Sequence, residues 1–192
     1  AEAAELGAEG LAFVLHAAAS LQGGKRLRAR FAWWGWRGLA GDANAAGDAE
    51  AVIGTCAALE IFQAAALVHD DVIDNSDTRR GRPATHRALE AAHRDSRWHG
   101  DAAAFGRSGA ILLGDLLVAW SDDLLEDGLT EMPAVAAAAR AEYARMRRDV
   151  TVGQFLDIAE EAAFVTQPDD THADLVSRAL RAGAEVIVEK PL

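Results

Sequence analysis

The sequence predicts an all-α fold arranged as a helical bundle, and three observations predict it. Alanine, leucine and glutamate-type residues dominate stretches of helical length. Prolines number only 4 in 192 residues, so long segments run without a residue that breaks a helix. No alternating run of Val, Ile and Thr is long enough to suggest a sheet. With 51% hydrophobic residues the chain can bury a real core, and one domain over residues 1–192 is expected.

Period and punctuation place a first helix up to about Ser20, ended by the Gly23–Gly24 pair, and a second through about Gly38. The segment GDANAAGD is a loop. A long helix follows from about Glu50 to Asp74, then a polar, turn-rich stretch to Pro83 and an irregular segment to about Asp101. Further helices are expected from Ala103 to Glu126, Pro133 to Ala162 and Asp170 to Glu189, the last opened by Asp169 and Asp170 as N-cap and first turn. Trp33, Trp34 and Trp36 are expected in core or dimer packing, and Cys56 as a small buried residue of an apolar helix.

Charge and composition exclude several functions. A formal net charge of −11 argues against nucleic acid as the main partner, because phosphate backbones are bound by basic surfaces. A single cysteine forms no internal disulfide, so a reducing compartment, the cytoplasm, is expected. The first residues carry acids where a secretory signal carries a basic segment. No apolar stretch is expected to reach the length of a membrane span.

The stretch ALVHDDVIDNSDTRRGRPATH carries the chemistry. Steps of three and four residues put Gln63, Ala66, Asp70 and Asp74 on one face of the long helix. Asp71 lies about 100° around from Asp70 and supports the pair from the side. Carboxylates one turn apart repel unless a cation sits between them, and hard oxygen donors at that spacing suit Mg²⁺. A solvated acidic helix end is the competing reading, although acids are unfavourable at a helix C-terminus. Arg79 and Arg80 follow directly, and guanidinium groups bind phosphate oxygens in pairs. Upstream, GGKRLRAR offers Lys25, Arg26 and Arg28 after a glycine pair, at the start of a helix whose N–H groups also favour anions. His69 and His86 flank the motif without a second histidine or cysteine at zinc-ligand spacing.

Together, GGKRLR, LEIFQAAALVHDDVIDNSDTRRGRPATH, GAILLGDLLVAW and GQFLD resemble the trans-isoprenyl diphosphate synthases, also called polyprenyl synthetases, over about residues 20–160. The resemblance implies an all-α bundle of the isoprenoid synthase type, shortened here at the C-terminus, and a homodimer. It implies a Mg²⁺-dependent prenyltransferase that joins an allylic diphosphate to isopentenyl diphosphate. Asp70 and Asp74 would then be Mg²⁺ ligands of a DDxxD motif, with Asp71 supporting them. Arg79 would contact the allylic diphosphate and Arg80 the isopentenyl diphosphate. Lys25, Arg28 and Gln63 would complete the isopentenyl diphosphate site, and Gln154 and Asp157 would lie near the allylic diphosphate and its metals. Ala65 and Ala66 stand where similar enzymes carry bulky residues that floor the product pocket. Small residues there imply a product of C20 or longer.

The second aspartate-rich motif of the family is not found in these 192 residues. Asp122, Asp123 and Glu126 imitate it but are expected on an exposed acidic turn of a helix. Ala182 and Gly183 stand where the family carries lysine and threonine or serine. The alternative expectation is a relative, or a fragment, that binds prenyl diphosphates or a partner subunit without turnover.

Overall fold

The structure, a computed structural model, describes residues 7–40 and 46–164. The described residues form α1 (Gly7–Ser20), α2 (Leu27–Ala40), α3 (Ala46–Ile73), α4 (Thr85–Asp95), α5 (Ala102–Thr130) and α6 (Pro133–Phe164). A hairpin of two short strands, β1 (Thr78–Arg79) and β2 (Arg82–Pro83), joins α3 to α4. The fold is therefore all-α, as the alanine-rich periodicity predicts. The helix expected over 170–189 lies outside the described residues, as do Asp169, Ala182 and Gly183.

The chain divides into two compact units, Ala1–Ala137 and Ala138–Leu192. In the first, α3 packs along α5, α4 rests on α5, and α2 lies against α3. Ala64, Ala65 and Val68 of α3 meet Ala110, Leu113 and Leu117 of α5, with Leu89 of α4 and Ala17 of α1 completing the cluster. Leu113 and Leu117 are wholly buried, each stabilising the unit by roughly 1.5–3 kcal/mol relative to exposure. Glycine lets the two long helices close together. A Cβ on Gly128 would stand 2.7 Å from the Ala51 carbonyl oxygen, and one on Gly54 would stand 3.4 Å from Gly128 Cα.

Two expectations are corrected. The segment after Pro83 is not irregular, because Thr85–Asp95 forms α4. Its sequence is polar, but Arg87 and Arg94 flank Glu90 at helical spacing, and Leu89 and His93 are buried. Such pairs and one buried face hold a helix that composition alone does not announce. Two helices are also long and apolar enough to cross a membrane, Ala49–Ile73 with mean hydropathy 1.8 and Ala102–Thr130 with 1.4, where the sequence led us to expect no such stretch. Their hydropathy comes from the alanines and leucines with which α3 and α5 pack on each other. Of the three tryptophans expected in core or dimer packing, Trp34 is 65% exposed, beside Phe31 at 72%, and Trp33 and Trp36 are half-buried with ring centroids 5.1 Å apart.

Candidate functional site

The end of α3 is built by its last carbonyls. Asn75 takes a left-handed conformation, φ 51°. The Ser76 N–H donates to the Asp71 carbonyl at 2.9 Å and the Asn75 N–H to that of Val72 at 3.4 Å. These are the two bonds of a Schellman cap. Asp74 is thereby fixed at the end of the helix and Asp70 one turn earlier, where the Asp74 N–H still donates to the Asp70 carbonyl at 2.8 Å. Two acids at the negative end of a helix dipole need a cation, and the hairpin supplies one.

The hairpin turns through Arg80 and Gly81, with φ of 54° and 74°, the two-residue turn that matches the strands' own twist. Thr78 faces Pro83 and Arg79 faces Arg82 across it. Folding back, Arg79 donates from Nε to Asp71 Oδ1 at 2.8 Å and from Nη2 to Asp70 Oδ2 at 2.8 Å, with Nη2 also 2.6 Å from Asp71 Oδ1. The bond to Asp71 is the largest influence holding the guanidinium protonated, and burial opposes it. Asp71 is buried at 2% exposure, Asp70 is half-buried, and Asp74 is exposed.

Arg80 points elsewhere. Its guanidinium lies against Gly24, where a Cβ would stand 2.9 Å from Cζ and both Nη atoms. It donates to the Gln22 carbonyl at 3.2 Å, and Arg82 donates to Gln22 Oε1 at 2.7 Å. Gly23 and Gly24 have φ of 79° and 82°, so the glycine pair supplies a left-handed backbone and room for a guanidinium rather than a break alone. Lys25 and Arg28 follow it, both exposed. A cavity of about 320 Å³ opens here, bounded by Ser20, Gln22, Val68, Asp71, Arg79 and Arg80. It sits on the Asp71 side of α3 and does not reach the Asp70–Asp74 face.

Residues that sequence reasoning passed over hold this frame. Glu60 of α3 accepts the Ala29 N–H of the first turn of α2 at 3.1 Å and pairs with Arg26 at 3.5 Å. It caps a helix that begins without a capping side chain of its own. Arg87 of α4 donates to Asp77 at 2.8 Å and to Asn75 Oδ1 at 3.2 Å, tying α4 to the loop after α3. His69 reaches α5, with Nε2 3.1 Å from the Ile111 carbonyl oxygen and 3.4 Å from Asp115. A Cβ on Gly114 would lie 2.2 Å from that nitrogen, which explains the glycine of the GD pair. The motif GAILLGDLLVAW carries that glycine in plain view, but only the packing of α3 on α5 gives the reason for it. His86 is 2% exposed, with neither ring nitrogen hydrogen-bonded. Burial, followed by the neighbouring Arg87, pushes its pKa down.

Gln63 and Ala66 are half-buried on the Asp70 face of α3, whereas Ala65 is wholly buried in the core cluster. Gln154 and Asp157 stand three residues apart on α6, in the second unit, half-buried and exposed respectively. Asp122, Asp123 and Glu126 lie on α5, as expected of an acidic turn of that helix, with Asp122 half-buried and the other two exposed.

Asp70 and Asp74 offer carboxylate oxygens one turn apart, a donor set that fits Mg²⁺. Asp71, expected to support them, is turned inward to Arg79, and among the described residues no three His, Cys, Asp or Glu side chains gather into a ligand set.

The class of protein is thus an all-α scaffold that carries two aspartates one turn apart at the end of α3, beside an arginine hairpin. A family model described as polyprenyl synthetase matches residues 13–178, and the chain belongs to that family. A short chain isoprenyl diphosphate synthase of Methanothermobacter thermautotrophicus is 30% identical over 84% of this chain and 45% of its own length. A geranylgeranyl diphosphate synthase of Mycobacterium tuberculosis is 33% identical over 81% of this chain and 37% of its own. A geranylgeranyl pyrophosphate synthase from Corynebacterium glutamicum, crystallised with isoprenyl diphosphate and magnesium, is 41% identical, with a TM-score of 0.76 over 84% of this chain and 45% of that one. The chain thus spans less than half the length of each of these relatives.

Proposed function

We propose that the chain forms the diphosphate-handling part of a trans-prenyltransferase, which condenses an allylic diphosphate with isopentenyl diphosphate to a prenyl diphosphate of C20 or longer. The observation that carries this reading is the division of two adjacent arginines. Arg79 faces the carboxylates of α3 and Arg80 faces the Gly23–Gly24 loop, so consecutive guanidiniums serve two anion sites on either side of one turn. Arg80 with Lys25, Arg28 and Gln63 would hold isopentenyl diphosphate. Arg79 would hold the allylic diphosphate.

Asp70 and Asp74 would hold Mg²⁺, which when bound neutralises the charge that develops on the leaving diphosphate. Arg79 adds a donor aimed at the same oxygens, an interaction strongest in the transition state. The allylic cation must be kept from water, and the apolar face that runs back from Asp70 through Ala66 serves that need. A small residue at Ala66 leaves room for a growing chain, and relatives named as geranylgeranyl diphosphate synthases support the C20 limit. Homodimerisation is part of the proposal, with Phe31 and Trp34, exposed one turn apart on α2, as apolar surface for a second copy to cover. A cytoplasmic location is also proposed, on the single cysteine.

Equilibrium binding tests the assignment. Arg80→Ala should loosen isopentenyl diphosphate by about tenfold or more, the worth of one charge-assisted contact. Asp70→Ala should loosen Mg²⁺-dependent farnesyl diphosphate binding and leave isopentenyl diphosphate unchanged. Wild-type affinity for both ligands in both variants contradicts the reading.

A further inference from the structure

Arg79 is shared between two carboxylates that differ in almost every respect. Asp71 is buried, with its side chain 3% exposed, and takes Nε and Nη2; Asp70 is 26% exposed and takes Nη2 alone. A buried carboxylate left without a cation is costly, so the Arg79–Asp71 contact is the one that must persist. The contact to Asp70 is expendable. The guanidinium remains 35% exposed, so a ligand can reach its outer edge. Asp70 is also the carboxylate that the proposed function assigns to Mg²⁺, and its Oδ2 is engaged by Arg79.

We propose that Arg79 is a latch that pivots on Asp71 and exchanges Asp70 for the oxygens of a bound diphosphate, so that divalent cation and diphosphate occupy this site cooperatively. Asp71 is then a positioning residue and not a metal ligand. Diphosphate takes the Nη2 hydrogen turned to Asp70, while Nε and the other Nη2 hydrogen stay on Asp71, and Arg79 then no longer competes with metal for Asp70. Metal on Asp70 likewise releases that hydrogen to diphosphate, and the two effects are equal because coupling between sites is reciprocal. This inference rests on the assignment of Asp70 to the cation.

The test is Mn²⁺ binding to the purified chain, read by the electron paramagnetic resonance of the free ion, without any diphosphate. Arg79→Lys keeps the charge but lacks the planar fork that bridges two carboxylates. The latch predicts that it binds Mn²⁺ about tenfold tighter than wild type, roughly the worth of one charge-assisted hydrogen bond. Arg79→Gln should bind at least as tightly, and Arg79→Lys alone decides the matter where the Gln variant does not fold. Wild-type affinity in Arg79→Lys overturns the latch, and tightening in Arg79→Gln alone shows plain removal of charge, which overturns it too. In the reciprocal measurement, Asp70→Asn should bind metal-free inorganic diphosphate about tenfold tighter than Asp74→Asn, which removes equal charge but keeps the Asp70 carboxylate that Arg79 holds. Equal affinity in those two variants counts against it. If none of the proteins binds Mn²⁺, with or without diphosphate, the metal assignment fails and the latch with it. If Arg79→Lys merely matches wild type, only the latch fails.

Discussion

Replacing Gly106 with alanine tests how α4, and with it the arginine hairpin, is seated. A Cβ at Gly106 would stand 2.3 Å from the His86 carbonyl oxygen, 3.0 Å from Glu90 Cβ and 3.1 Å from Glu90 N. Ordinary contact begins near 3.4 Å, so the first of these is short by about 1.1 Å. The obstruction is backbone and cannot rotate away, so α4 and α5 must part. Overpacking of this kind costs about 1–3 kcal/mol, and a shift forced on backbone belongs at the upper end. Alanine regains about 1 kcal/mol of helix preference over glycine, which leaves a net loss of about 2 kcal/mol. For a chain of this size that lowers Tm by about 4–8 °C. Thermal unfolding followed by circular dichroism measures it. Gly153→Ala is the matched control, because nothing lies within 4 Å of its Cβ on α6, and it should raise Tm slightly. A Tm in Gly106→Ala equal to or above wild type would refute the close approach of the two helices.

Stability should fall as pH drops through the histidine range. Burial depresses His16 and His86 below their ordinary 6.5, so the unfolded chain takes up these protons first. Full stability holds above about pH 6.5 and is lost progressively below it. His86→Phe should flatten that slope, as read from denaturant midpoints between about pH 8 and about pH 5.5, and an unchanged slope would count against a buried neutral imidazole. Glu90, depressed first by the Arg87 hydrogen bond, and Asp101, depressed by the Ala104 and Ala103 N–H groups, act in a lower window. Their contributions are present above the ordinary carboxylate range and disappear as pH falls below it. Cys56 is buried, and burial followed by the charge of Glu60 raises its thiol pKa. It should resist a thiol reagent at neutral pH until denaturant is added; fast labelling of the native chain would contradict its burial. Ala66→Phe should shorten the product, with unchanged product lengths by chromatography arguing against this face as the pocket floor.

Much of the site is legible in the sequence because helical period is local information. The spacing of Asp70 and Asp74 is enough to put them on one face of a helix, and the alanine-rich stretches are α3 and α5. What the sequence hides depends on contacts between distant residues. The partner of Arg79 requires a reversal of the chain at Arg80–Gly81, and the reason for Gly114 requires His69 on another helix. The role of Glu60 as a cap for α2 appears only when α2 lies along α3. The helix α4 is hidden by its polar sequence, and its stability comes from Arg87, Glu90 and Arg94 acting together with one buried face. The apolar length of α3 and α5 is easily underestimated because a single charge, Glu60 in one and Asp115 in the other, interrupts each apolar run near its middle.

Asp70 and its partners are proposed to make this chain part of a working prenyltransferase. The most direct measurement is Mg²⁺-dependent incorporation of labelled isopentenyl diphosphate into extractable product, with farnesyl diphosphate as the allylic partner. A product of C20 or longer is expected with the wild-type chain and none above background with Asp70→Ala. Saturable binding of both diphosphates without product, or equal product from both proteins, would contradict it.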